Sequence, residues 1–160
     1  KLGETVVDTN FPILKMSAFQ AGLAANWSEH LRKLTNARAE NSRIWMALLD
    51  NMGAGDSYIG NVQENGLIRF PIRITNRVKR QQVLMESGAV GTGVMPVYPQ
   101  SINQVSGLHF VSNECRFPVA ERYARELVTL PTHGYVTKRD IAKIGQSLRA
   151  ALVPSETGTP

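Results

Sequence analysis

Few side chains in this 160-residue chain could do covalent or metal chemistry. A lysine amine attacks carbonyl compounds when burial or a neighbouring cation suppresses its charge. The lysines are Lys1, Lys15, Lys33, Lys79, Lys138 and Lys143. Lys33, Lys79, Lys138 and Lys143 fall on helical patterns as exposed positions. Lys15 differs, standing between Leu14 and Met16, just ahead of a helix cap at Ser17. A cation there is held by a rigid element and can reach an anion near the helix N-terminus, which itself favours negative charge. His30, His109 and His133 are far apart in sequence and Cys115 is the one cysteine, so no metal-ligand spacing is present. His133, close to Pro131 and Gly134, reads as a turn residue bonded through its backbone. Arg116 beside Cys115 can lower the thiol pKa, but no base is evident and the residue reads as a half-buried cysteine. Gly91-Thr-Gly93 is only a fragment of a phosphate-cradling glycine pattern and reads as irregular strand. No Gly-x-Ser-x-Gly elbow occurs.

The element behind Lys15 is a helix expected over Met16 to Asn51. Ser17 and Gln20 form a Ser-x-x-Gln capping box, and Pro12 bounds the start. Leu23, Trp27, Leu31, Leu34, Trp45 and Leu48 recur at helical spacing, with Arg38 and Asn41 interrupting the stripe. Gly53 and Gly55 supply the stop. Such a helix spans about 50 Å, whereas a compact domain of this size has a radius of gyration near 15 Å. One end should therefore project or lie against something absent, and the polar interruption fits a helix that packs on one body, crosses a gap and packs on another.

The segments around the helix follow from local signals. Residues 1–14 read as loop, and Gly53 to Gly66 as an exposed loop. Ile68, Phe70, Ile72 and Ile74 alternate with Arg69, Pro71 and Arg73, giving a half-buried strand that Pro71 confines to an edge or irregular place. Asn76 caps a helix to about Ser87 with Gly88 as its C′ residue, and Val78, Leu84 and Met85 as core contacts. Ala89 to Met95 reads as a second strand, Pro96-Val-Tyr98-Pro99 as a rigid bend, and Ser101 to Ser112 as irregular. Pro118 opens a helix to about Leu127, with Val119, Tyr123 and Leu127 on one face. Val128-Thr-Leu130 is short and extended. Thr137 and Asp140 open a last helix with Ile141, Ile144, Leu148 and Leu152 inward, ended by Pro154. The domain therefore runs over residues 15–153, with a disordered tail at 154–160. The pattern is α+β: a small sheet covered by helices on one face.

Composition narrows the function classes. No apolar run approaches the roughly 20 residues that span a bilayer, so no membrane partner is expected. The net charge of +5 gathers at His30 to Arg43 and Arg77 to Arg80. Glu29 and Glu40 lie within the first group, few aromatics interleave the basic residues and no nucleic-acid reading motif appears, so nucleic acid is an unfavoured partner. One cysteine suggests a reducing, cytoplasmic location.

Three stretches together resemble the C-terminal part of the DegT/DnrJ/EryC1/StrS family of sugar aminotransferases, which depend on pyridoxal phosphate. Lys15-Met-Ser-Ala-Phe-Gln-Ala-Gly-Leu-Ala24 is similar to its Arg/Lys-Met-Ser-x-x-x-Ala-Ala-Leu-Gly segment, followed by a long helix ending in a Leu-Leu pair, here Leu48-Leu49. Phe70-Pro71, Gly88 to Thr92 and Tyr98-Pro99 resemble its strand, its Gly-Ile-x-Thr turn and its Tyr-Pro bend. Phe117 to His133, with Ala120-Glu121 and Leu130-Pro-Thr-His133, is similar to the stretch before its final helix.

The resemblance implies a fold-type-I aminotransferase C-terminal domain with a mainly antiparallel sheet. It implies a homodimer with active sites between subunits, and an amino group passed from glutamate or glutamine to a nucleotide-linked keto-sugar. It assigns a cofactor-phosphate contact to Lys15 and a substrate contact to Tyr98. Ile13 stands where the family often has Asn, and Ser101-Ile102 where a His often follows the bend. The covalent lysine of the family lies in a large domain outside this sequence, so the chain alone is expected to be inactive and to hold no covalent cofactor. The alternative is a non-catalytic dimerisation or interaction module that retains the fold.

Overall fold

The computed structural model describes residues 14–58, 66–105 and 117–154. The element order is α1 (Ala18–Leu23), α2 (Trp27–Asn51), β1 (Arg69–Arg73), α3 (Arg77–Val90), β2 (Met95–Pro96), α4 (Pro118–Glu126), β3 (Leu127–Pro131) and α5 (Lys138–Leu152), with single 3-10 turns at Gly55–Ser57 and Ile102–Gln104. The architecture is α+β, as the patterning indicates.

The sheet is antiparallel and runs in the order β1-β3-β2. Phe70 lies opposite Leu130 and Ile72 opposite Val128. These four residues are fully buried and join Trp45 and Leu49 of α2, Val83 of α3, and Ile144 and Leu148 of α5 in one core. The other parity of β1 carries Arg69, Pro71 and Arg73, all half-buried. Pro71 does sit on an edge strand, and the second edge strand, β2, carries Pro96.

Local capping chemistry sets most boundaries. Ser17 and Gln20 exchange both bonds of the box, at 2.8 and 3.2 Å. Asn76 accepts from the Lys79 amide, Pro118 occupies the first turn of α4, and Thr137 with Asp140 completes the box of α5. Pro154 follows Val153, the C-cap residue of α5.

Several expectations are corrected. The helix expected over Met16 to Asn51 is two helices. At Ala24 to Asn26 the chain makes i to i−3 bonds (Ala25 to Gly22, 3.1 Å; Trp27 to Ala24, 3.0 Å) that interrupt the α ladder, and Asn26 becomes a new N-cap residue. α3 runs through Gly88 to Val90, because Gly91, at φ 74°, is the residue that turns left-handed and ends it. The strand expected at Ala89 to Met95 shrinks accordingly to Met95–Pro96. Val78 and Met85 face solvent at 77% and 65% exposure, while Leu84 packs against the core as expected, beside the buried Val83. Val119 is likewise exposed. Val128-Thr-Leu130, expected as a minor extended piece, is the central strand on which both others pair. Tyr58 bridges to Ile72, so the loop after Asn51 begins with an ordered contact. The expected tail from Ser155, Cys115, His109, Ile13 and most of the N-terminal connection lie outside the described residues.

Candidate functional site

Two places carry the residues that sequence singles out, and they belong to different elements. Lys15 lies in the short segment ahead of the Ser17 cap and is exposed. Tyr98 lies in the Pro96 to Pro99 bend after β2 and is 62% exposed. Among the described residues no hydrogen bond or ion pair joins the two side chains.

The arm that carries Lys15 projects from the body. Phe19, Leu23, Trp27, Leu31 and Leu34 form a stripe at spacings of three and four, and each keeps 45–75% of its surface exposed. Contact with the body begins farther along α2. Asn41, expected to mark a gap in the stripe, instead donates both amide protons, to Thr132 O and His133 O at 3.0 Å each. One turn on, the buried Trp45 donates its indole N–H to Pro131 O at 2.8 Å. Three successive carbonyls, from the last residue of β3 into the β3–α5 connection, are thus held by two side chains of one helix face. His133 is a turn residue whose carbonyl also accepts from Val136. Asn41 was legible only as an interruption, since the loop that satisfies it lies 91 residues away.

The base of the Tyr98 bend is built by α3, β1 and β3. Ser87, buried near the end of α3, accepts the Val94 N–H at 2.8 Å and the Thr92 hydroxyl at 2.9 Å, and donates to Val94 O. Gly93 has φ 83°, a left-handed backbone that a side chain would strain, although a Cβ there would meet Pro131 only at ordinary contact distance. From the rear face of β1, the Arg69 guanidinium donates to Thr129 Oγ1, Thr129 O and Gly93 O. Burial lowers the pKa of Arg69 and of Arg80 from the ordinary arginine value, without a carboxylate to offset it. Arg80 gives Nη2 to Leu127 O. Arg73 has a carboxylate within reach, its Nε 3.7 Å from Glu126. The sequence signal for Arg69 is its parity, alternating with the buried Phe70 and Ile72.

Chemically, both places can bind and orient. Among the described residues no lysine is buried, and no three His, Cys, Asp or Glu side chains lie together to hold a metal ion. No helix among them is long and apolar enough to cross a membrane.

The model of the DegT/DnrJ/EryC1/StrS aminotransferase family matches residues 7–149. No curated protein matches. Among solved structures the chain is similar to a DegT DnrJ EryC1 StrS aminotransferase from Brucella abortus, with a TM-score of 0.67 and 20% identity over 95% of this chain. The chain spans 40% of the length of that structure.

Proposed function

Because the chain belongs to the DegT/DnrJ/EryC1/StrS aminotransferase family, we propose that it is the C-terminal part of a pyridoxal-phosphate-dependent sugar aminotransferase. Residues 15–153 form its small domain, and residues 1–14 connect to a large domain. The complete enzyme passes an amino group from glutamate or glutamine to a nucleotide-linked keto-sugar, in a cytoplasmic homodimer. The single observation that carries this is the family match over 143 residues, 7 to 149. The unpartnered stripe from Phe19 to Leu34 supports the large domain as its occupant.

Bound pyridoxal phosphate supplies the electron sink through which an amino group changes carrier. A covalent attachment point needs a desolvated amine, and the described lysines are exposed or half-exposed. These residues therefore fit a peripheral phosphate contact and not the attachment itself. Lys15 places its ammonium as a point charge for a phosphate oxygen. Tyr98 presents a phenol that can donate to or accept from a sugar hydroxyl. The arm, once covered, excludes water from the face it buries. The chain alone performs no transfer.

The test is amino transfer by the product of the complete reading frame, with pyridoxal phosphate, glutamate or glutamine and nucleotide-linked keto-sugars. Transfer by the complete protein and none by this chain is expected. Absence of transfer with both donors, or turnover by this chain alone, overturns the reading. The same bare stripe supports a second reading, a dimerisation module. Stable self-association with no pyridoxal phosphate affinity in the complete product would favour it.

A further inference from the structure

β2 is two residues long, and Pro96 has no N–H to give. Backbone pairing alone cannot fix the chain that leaves such a strand. Instead, backbone groups of three consecutive residues are gripped by side chains from three elements. Gly93 O accepts from Arg69 Nη2, Val94 N–H donates to Ser87 Oγ, and Met95 O accepts from Thr129 Oγ1 at 3.2 Å.

Two of the three grips depend on one side chain. Arg69 Nε donates to Thr129 Oγ1 at 2.7 Å. Accepting that bond orients the Thr129 hydroxyl, whose own proton goes to Met95 O. The guanidinium thus holds Gly93 O directly and Met95 O through the hydroxyl of Thr129. Its second bond to Thr129, from Nη2 to the backbone carbonyl at 3.1 Å, fixes the fork against the central strand. The hydroxyl of Thr129 is not replaceable by the rest of β3, whose other residues are Leu127, Val128, Leu130 and Pro131. Beyond Met95 the segment Pro96-Val-Tyr98-Pro99 is stiffened by two prolines, so its base sets its direction.

We propose that Arg69, acting through Thr129, is the positioning residue that sets where Tyr98 stands, a role that rests on the reading of Tyr98 as a substrate contact. A lysine cannot replace it fully, because a point charge cannot span Gly93 O and Thr129 Oγ1 together as the guanidinium fork does.

The chain is small enough for backbone order parameters by NMR. In Arg69→Met and Thr129→Val, the values for Val97 and Tyr98 should fall from the rigid range, about 0.85, to below about 0.6, while Val83 and Leu148 keep theirs. Arg69→Lys should fall between. Unchanged values at Val97 and Tyr98, or an equal loss at Val83 and Leu148, overturn the proposal. In the complete enzyme, Arg69→Lys and Arg69→Met should raise KM for the keto-sugar by about three- to tenfold with kcat within about twofold. A loss confined to kcat overturns it as well. If Tyr98→Phe leaves KM unaltered while the order parameters fall as expected, the substrate reading of Tyr98 is what fails, and the clamp on the bend stands.

Discussion

The two tryptophans of the chain lie 18 residues apart on α2, five helical turns and so one face, yet their surroundings are opposite. Trp45 is fully buried and Trp27 is 62% exposed. Trp45→Phe removes the indole N–H that satisfies Pro131 O at 2.8 Å, leaving a buried carbonyl unpaired, and opens a void beside Leu49. An unpaired buried acceptor costs about 1–3 kcal/mol and the void about 1 kcal/mol more, so the loss should be about 2–4 kcal/mol. Trp27→Gln replaces a mostly exposed side chain with a good helix former, so the change should stay within about 0.5 kcal/mol. Urea unfolding followed by far-ultraviolet circular dichroism separates the two without relying on tryptophan emission. With m near 2 kcal/mol/M, the midpoint should drop by about 1–2 M for Trp45→Phe and by no more than about 0.25 M for Trp27→Gln. In the proposed complete enzyme, a large domain over the arm would cover Trp27 as well. Burying the open part of a large apolar side chain stabilises by about 1–2 kcal/mol, and Trp27→Gln should cost at least that there. Equal losses from the two substitutions in this chain, or more than about 2 kcal/mol from Trp27→Gln, would refute the picture of a bare arm on a packed body.

Other substitutions test the local chemistry. Gly88→Ala, inside α3 with open space around it, should stabilise by about 0.5–1 kcal/mol in thermal or urea unfolding. Gly66→Ala places a methyl group against the backbone oxygen of Thr35, and about 1–3 kcal/mol should be lost by the same measurement. The Asp140 carboxyl is held below its usual value of 3.8 by the hydroxyl of Thr137, with the Thr137 backbone second. Its contribution is therefore present above that value and lost as pH falls below it. Thr137→Val should lower Tm at neutral pH and flatten the acid limb of the Tm profile. Incubation of this chain with pyridoxal phosphate and borohydride should modify Lys15 no more than the other exposed lysines when the sites are mapped by peptide mass; selective stoichiometric modification there would count against a purely ionic role.

How much of this was readable follows the range of each interaction. Ser17, Asn76, Pro118 and Thr137 were legible as helix starts, because a cap bonds a group only three residues away. The α3 end was misplaced by three residues, since Gly88 and Gly91 are equally good terminators by type and only the backbone turn chooses between them. The break at Ala24 to Asn26 left no mark, as two alanines are strong helix formers. The centrality of Leu127–Pro131 was invisible in a run of five residues because its partners lie about 30 and 60 positions away. Of the candidate site, Lys15 and Tyr98 came from local motifs and family resemblance, whereas Arg69, Thr129 and Asn41 act across the fold. Local sequence marks such residues only as polar positions in apolar patterns.

The two outer strands of the sheet share a property with a consequence for the chain at high concentration. β1 carries Pro71 and β2 carries Pro96, so each exposed rim lacks a backbone donor where an incoming strand would need one. β1 is further occupied at Ile72 by the bridge from Tyr58, and β2 is too short to template a partner. Strand addition, the usual route from an open sheet to fibrils, is thereby frustrated at both rims. A chain that carries a bare apolar arm can then stick to its neighbours through helices, reversibly, without seeding a cross-β aggregate.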